Sequence, residues 1–514
     1  MQTPRDMLAK FTPARQTAVL LFFGLSGFYL SLSPASIAGQ GYTGEEIDSG
    51  LRMLAVMNAW MKRRPIPPMV WSRHGPIPVL FDLPFIKLGK IFVSPDFMLS
   101  FQPVLLTAAI LAVLYLWLRT LCSPGMSLLL TMSGALGTML WPYAYISLET
   151  KQTLFMLLAG YLALAPGEMR KWPRVLFFAA IGGLAVTVKS TGIVLVPAIA
   201  YLVYVQFRDD WRSRRAQLLT VLLVVGAIWA IGAFSRNYYW GPKGGGFNNL
   251  RTWLTDSPLQ LFTNVIGLFG SPTKGLFVYA PILLVTLYAV PKAFRAHRPT
   301  VIYTLLVVGG TLALLAPLMT PVDETWGPRY FHTSVPLLLL CVGAARPRFR
   351  WRRDIPLVAL AALGLFISFL GAFYYYGLQD FAAARAGQNT IEWITGDTDW
   401  NHVTFNARLF RIWREGGTGP ALWTPKHTWV WRPPAGAREW KSMDLRDFCQ
   451  PQSFMVRFWN APKPGVVLVV FRMYVISLLL GLLFLTWAVV RTLMEYRSAL
   501  VGELADVAGG AGNP

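Results

Sequence analysis

Charge is scarce in this chain. Lys, Arg, Asp and Glu together make up 14% of its 514 residues, against about a quarter in soluble domains. Acids are the scarcer sign: 25 Asp and Glu stand against 47 Lys and Arg, a formal charge of +22. Cysteine is almost missing. Cys122, Cys341 and Cys449 lie in separate regions and make no metal or redox spacing, which excludes a disulfide framework. The sequence also has no Asn-x-Ser/Thr acceptor, an absence that fits a bacterial source better than the secretory pathway.

What fills the space is apolar. Hydrophobic residues make up 54% of the chain and the mean hydropathy is +0.45. Runs long enough to span a bilayer recur throughout, so the expected fold class is an all-α polytopic membrane protein with about twelve transmembrane helices. The spans fall near 16–37, 99–118, 126–146, 152–165, 175–188, 190–207, 216–234, 275–292, 300–320, 330–345, 355–376 and 466–490. A net charge of +22 on a soluble protein would point to nucleic acid. Here the basic residues sit mainly in short loops between spans, where they set topology and meet anionic headgroups. Nucleic acid is not an expected partner, whereas membrane lipid is.

Loop charge orients the chain. The alternate loops 166–174, 208–215, 292–298 and 346–353 hold fifteen Lys and Arg. The intervening loops 147–151 and 321–329 hold only Lys151 and Arg329, beside Glu149, Asp323 and Glu324. The positive-inside rule then puts both termini in the cytoplasm, in an inner-membrane topology. The stretch 39–98 and the segment 377–465 fall outside. The basic n-region and apolar run at the start resemble a signal peptide, but the run is long enough to read as an uncleaved anchor. The expected domains are 1–376, a transmembrane domain with its first external loop at 39–98; 377–465, a Trp-rich external region; and 466–514, a last span and cytoplasmic tail.

The first external loop carries the most informative pattern. Thr43-Gly44-Glu45-Glu46 fits a capping box, and Ile47, Leu51, Leu54, Met57 and Met61 follow at helical spacing, as in a helix lying on a membrane surface. Glu46 has a capping role and Asp48 can pair with Arg52 one turn on. Glu45 has no such structural partner. Glu45 and Asp48, three apart, share a helix face.

Other features converge on the same outer side. Ser257-Pro258 reads as a helix start, with an interfacial or re-entrant apolar run ending at Gly270 and Pro272. Lys189, Lys274 and Arg329 each stand at the mouth of a span. One such cation is ordinarily a snorkelling anchor. Three on the side where basic residues are rare suit an anionic, lipid-linked ligand. The external segment 377–465 holds eight of the twenty tryptophans. They read as a small core or interfacial belt, with sugar stacking as the sharper alternative, and a piece of this size is expected to lean on the membrane domain.

Several motifs resemble the GT-C superfamily of integral-membrane glycosyltransferases, which includes protein O-mannosyltransferases and lipid A aminoarabinose transferases. They are Thr43-Gly44-Glu45-Glu46, His74-Gly75-Pro76-Ile77-Pro78 with Leu83-Pro84 and Leu88-Gly89, Thr187-Val188-Lys189-Ser190-Thr191, Ser271-Pro272-Thr273-Lys274-Gly275, and Gly327-Pro328-Arg329-Tyr330. They run in order over about 16–345 and do not cover 377–465.

The resemblance implies an enzyme that moves a sugar from a polyprenyl-phosphate donor to a glycan, lipid or protein acceptor outside the membrane. Glu45 or Asp48 would be the catalytic base, where relatives have Asp-Glu at the head of the helix. Lys189, Lys274, Arg329, His74, Glu324 and Tyr330 would bind substrate, with Arg329 foremost because a guanidinium can hold phosphate bidentately. No cofactor is required. A divalent cation has possible ligands in Glu45, Asp48, His74, Asp323 and Glu324, though no spacing demands one. The alternatives are a polysaccharide polymerase or ligase using a lipid-linked oligosaccharide, and a flippase for lipid-linked sugars. The first would show a dominant Arg-rich late loop, yet 377–465 has eleven Lys and Arg against eight acids. The second would show charges in mid-span and an internal repeat.

Overall fold

The computed structural model describes residues 13–33, 76–92, 94–145, 147–165, 171–240, 257–272, 274–318, 327–373, 402–414 and 465–510, with scattered helical positions between 51 and 62. The regular elements among them are helices. α1 spans Pro13–Leu32, α2 Pro76–Gly89, α3 Pro95–Leu99, α4 Phe101–Leu118 and α5 Pro124–Leu136. α6 (Ser147–Leu164), α7 (Trp172–Thr187), α8 (Val196–Phe207) and α9 (Arg215–Trp240) follow. α10 (Pro258–Gly270), α11 (Leu276–Tyr279), α12 (Thr286–Ala296), α13 (Arg298–Leu315) and α14 (Ser334–Ala345) lead to α15 (Trp351–Phe373), α16 (His402–Arg414) and α17 (Gly465–Gly510).

Among the described residues, five stretches are long and apolar enough to cross a membrane: Phe97–Leu118, Arg215–Ala233, Arg298–Leu315, Arg352–Phe373 and Leu468–Arg497. The chain is an all-α, polytopic integral membrane protein. The outer faces of α9 and α17 are apolar and exposed, as at Leu222, Leu223, Leu479 and Leu483, which is what lipid-facing helices require. The first and last spans pack closely. A Cβ on Gly27 would collide with the Ser477 carbonyl, so a small residue there lets the two backbones meet.

Four expected spans are broken rather than continuous. In 126–146, α5 stops at Gly137, where a Cβ would sit 2.9 Å from the Ser133 carbonyl and 3.0 Å from that of Ala361. A 3₁₀ turn then covers Pro142–Tyr145. In 190–207 a 3₁₀ turn at Ser190–Leu195 precedes α8. In 275–292 the short α11 ends at Ala280, Pro281 opens a 3₁₀ turn to Val285, and α12 follows. In 330–345 a 3₁₀ turn at Arg329–Thr333 precedes α14. Hydropathy cannot register these breaks, because it counts apolar side chains and not backbone hydrogen bonds. Irregular backbone at such depth is tolerated only when buried in protein or lining a cavity.

α10 and α16 are tied down by polar contacts. Ser257 caps α10 by accepting from the Gln260 amide, with Pro258 at the first helical position. The buried Asn264 donates to the carbonyls of Ala316 at 2.8 Å and Leu318 at 2.7 Å, fixing α10 to the end of α13. The opposite face of α10 shows Leu259 and Phe262 to the surroundings, as expected for an interfacial helix. α16 rests on α15: Asn406 donates to the Leu370 carbonyl at 3.1 Å and Phe410 packs on Phe369 and Phe373. Leu51 and Leu54 pack on Ile86 and Leu99.

A buried cation–carboxylate cluster as candidate functional site

Three elements meet at the first turn of α6. That turn carries Glu149, where the helix dipole favours an acid. α7 ends at Thr187, and Lys189 takes an extended backbone (φ −135°, ψ 145°) that breaks the helix. Gly192 makes the reversal possible: a Cβ there would lie 2.5 Å from the Val186 carbonyl. Gly327 makes the third approach possible, with φ +60° and with Tyr279 of α11 occupying the space a Cβ would need. The chain then turns through Pro328 into the 3₁₀ segment that begins with Arg329.

The side chains converge. Lys189 Nζ donates to Glu149 Oε1 at 2.7 Å, and Arg329 Nε donates to the same oxygen at 2.6 Å. All three are 3–4% exposed. Tyr330 lies beneath both cations, with Lys189 Nζ 4.5 Å and the Arg329 guanidinium carbon 5.5 Å from its ring centre, a further cation–π hold on each. Beside them, His332 Nδ1 lies 2.7 Å from Thr153 Oγ1, which lies 3.1 Å from Thr333 Oγ1. Among the described residues, Glu149 Oε2 and His332 Nε2 are buried without a hydrogen-bond partner.

Burial pushes the Glu149 carboxyl up, but Arg329 and Lys189 outweigh it and hold the group well below the usual carboxylate range. The acid is therefore ionised. Among the described residues, one carboxylate oxygen takes both cations. Glu149, Lys189 and Arg329 line a cleft, partly open to its surroundings, with Gln152, Thr191, Thr311 and His332 among its other walls. An anion about 4 Å from either cation would gain about 4 kcal/mol at an effective dielectric near 20. The arrangement can receive an anionic oxygen.

No protein-family model matches the chain, and no curated protein matches it. The chain is similar in fold to ArnT from Cupriavidus metallidurans. The apo structure of that protein aligns at 14% identity and a TM-score of 0.44, covering 93% of this chain and 75% of ArnT. Its structure bound to undecaprenyl phosphate aligns at 13% identity and 0.42, covering 93% and 76%. The likeness is one of chain course.

The structure brings together three of the expected binding residues, Lys189, Arg329 and Tyr330. It also shows how the two cations are held. They are buried and share a carboxylate, so they are not anchors snorkelling to a headgroup layer. Lys274 is buried as well, in the turn after α10, but is not among the described residues lining the cleft. Glu45, Asp48, His74 and Glu324 lie outside the described residues. Among the described residues there is no cluster of three or more His, Cys, Asp or Glu able to hold a metal.

Glu149, His332 and Thr153 were missed from sequence. Glu149 read as one of the few acids of an outer loop, whereas it belongs to a helix. The missed signal was its place: an acid with Lys151 two residues on, directly before an apolar run.

A second buried pair sits on the same turn. Lys151, expected in a loop, lies within α6 and donates to Asp82 of α2 at 2.6 Å and to the Pro78 carbonyl at 3.2 Å. Both charged side chains are fully buried.

Proposed function

We propose that this chain is a membrane glycosyltransferase. It takes a sugar from a polyprenyl-phosphate donor and passes it to an acceptor on the external side of the membrane. The observation that carries the reading is the buried Lys189–Glu149–Arg329 cluster, in which two cations meet beside a cleft. A phosphate at a membrane boundary needs such a partner, because an unpaired charge is costly where water is scarce.

The acceptor hydroxyl oxygen attacks the anomeric carbon. The bond from that carbon to the phosphate oxygen breaks, its electron pair stays on the phosphate, and the configuration inverts. The hydroxyl proton passes to a carboxylate base, assigned to Glu45 or Asp48 at the head of the first external helix. The lipid phosphate is already a stable anion, so cations serve the departing group better than a general acid would. Lys189 and Arg329 supply that field, and Tyr330 keeps both cations in place. The orientation rests on loop charge: α12 through α13 and α14 through α15 are joined by basic segments, while the cluster lies at the other ends of its helices.

The test is to purify the full chain with its bound lipid and weigh the complex by native mass spectrometry. Wild type should retain a polyprenyl phosphate. Glu45→Gln or Asp48→Asn, whichever removes the base, should accumulate the same lipid carrying one sugar, since a general base contributes about two to four orders of magnitude in rate. The added mass would name the sugar class. Absence of any polyprenyl phosphate on the protein, or unchanged turnover in both amide variants, would overturn the reading.

A further inference from the structure

Two buried polar atoms of residues lining the cleft have no hydrogen-bond partner among the described residues: Glu149 Oε2 and His332 Nε2. The two residues stand side by side. Glu149 and Thr153 are four apart in α6 and share a face of that helix. Arg329 and His332 are three apart in a 3₁₀ turn, where such positions eclipse. Arg329 reaches Glu149 and His332 reaches Thr153, so the two contacts are neighbouring rungs between the same two elements.

The hydroxyl protons beside His332 fix its tautomer. Thr153 Oγ1 meets His332 Nδ1 at 2.7 Å and Thr333 Oγ1 at 3.1 Å. If Thr333 donates to Thr153 and Thr153 donates to Nδ1, each hydroxyl proton has an acceptor. If Nδ1 carries a proton and donates to Thr153, then Thr153 donates to Thr333, and the Thr333 proton has no acceptor among the described residues. Buried donors are paired as a rule, so the first arrangement holds and the ring proton sits on Nε2. Nε2 is then a donor, beside a carboxylate oxygen that can only accept. A phosphate oxygen would suit Nε2 and be repelled by Oε2. A hydroxyl group suits both, accepting from one and donating to the other.

We infer that Glu149 and His332 hold a hydroxyl group of the donor sugar, the one on the carbon next to the anomeric centre. This inference rests on the phosphate-binding reading of the same cleft. There Lys189 and Arg329 hold the phosphate that carries the anomeric carbon, and the adjacent hydroxyl is the ring's nearest to it. Glu149 thus keeps the two cations on Oε1 and meets the sugar with Oε2. The substrate class is a polyprenyl-phosphate sugar with that hydroxyl free. Its 2-deoxy counterpart is rejected, because it leaves both buried atoms unpaired.

Calorimetric titration of the full chain in detergent tests it. The probes are farnesol, farnesyl phosphate, its glucosyl, mannosyl and galactosyl diesters, and the 2-deoxyglucosyl and 2-deoxygalactosyl diesters. The tightest hydroxyl-bearing diester should bind about a hundredfold better than its deoxy counterpart, the size expected when two buried groups lose one shared partner. His332→Phe should lower that ratio at least about tenfold, as loss of one hydrogen bond to the hydroxyl, and leave farnesyl phosphate binding unchanged. His332→Gln keeps an N–H on a side chain of similar reach and should restore most of the ratio. General damage would weaken farnesyl phosphate and the sugar diesters together. Should His332→Phe fail to fold, the wild-type ratio and His332→Gln decide.

Equal binding of hydroxyl-bearing and deoxy diesters by wild type overturns the inference while leaving a phosphate site in place. So does an equal loss of farnesyl phosphate and sugar diester in His332→Phe, which would make Nε2 a donor to the phosphate itself. If neither farnesyl phosphate nor any diester binds better than farnesol, the phosphate reading fails and takes this inference with it.

Discussion

Two buried ionic groups share the first turn of α6, two residues apart, and they are built differently. Asp82–Lys151 is one anion with one cation, fully buried, with a backbone carbonyl taking another lysine proton. Glu149–Lys189–Arg329 is one anion with two cations, beside a cleft. The first is closed, as suits a clamp that fastens α2 to the transmembrane body. The second stands at an opening, as suits binding. Burial alone does not separate a structural ion pair from a functional one; access does.

The largest break in that comparison should come from Arg329. Arg329→Ala removes the cation that is both bidentate-capable and paired, and should lower transfer by about two to three orders of magnitude, as loss of a transition-state charge partner does. Arg329→Lys should recover only part of this, because a point charge does not replace a planar fork. Turnover with the natural donor, once its mass is known, measures both. Activity within a few-fold of wild type for Arg329→Ala would make the Glu149 cluster structural too.

Next in size is the clamp. Lys151→Met leaves Asp82 charged and buried without its cation, and should cost about 3–5 kcal/mol, read as a fall in the thermal unfolding midpoint in detergent. Lys151→Met with Asp82→Leu should recover most of that loss, since an apolar pair often replaces a buried ion pair at little cost. The double variant should also keep donor binding. If it stays folded but loses binding, α2 is held for function and the two groups are less distinct than their charges indicate.

The sequence revealed these two groups unequally. The helical class, the membrane setting and the caps of α10 followed from apolar runs and from Ser257-Pro258. Lys189 and Arg329 stood out because a cation at an outer span mouth is against the usual distribution. Glu149 did not, because an acid beginning a helix already has an explanation in the dipole. Asp82 and Lys151 are 69 residues apart, and nothing local to either names the other. The approaches at Gly137 and Gly327 were hidden for a related reason. Each depends on which backbone or ring comes close in space, as Tyr279 does at Gly327.

The smallest expected effect is a flat line, and it sharpens the contrast from the protonation side. Burial pushes the Glu149 carboxyl up, but Arg329 and Lys189 pull it down further, so its folded value lies below its unfolded one. A group shifted down contributes stability that is fully present above its unfolded value, about 4.3 for Glu. That contribution is lost only as pH falls through the lower folded value. The difference in unfolding midpoint between wild type and Glu149→Gln should therefore hold constant from pH 8 down to pH 5, and shrink only in stronger acid. A difference that already narrows between pH 8 and pH 5 would mean that the carboxyl titrates in that range. In that case the two cations would not be holding it ionised.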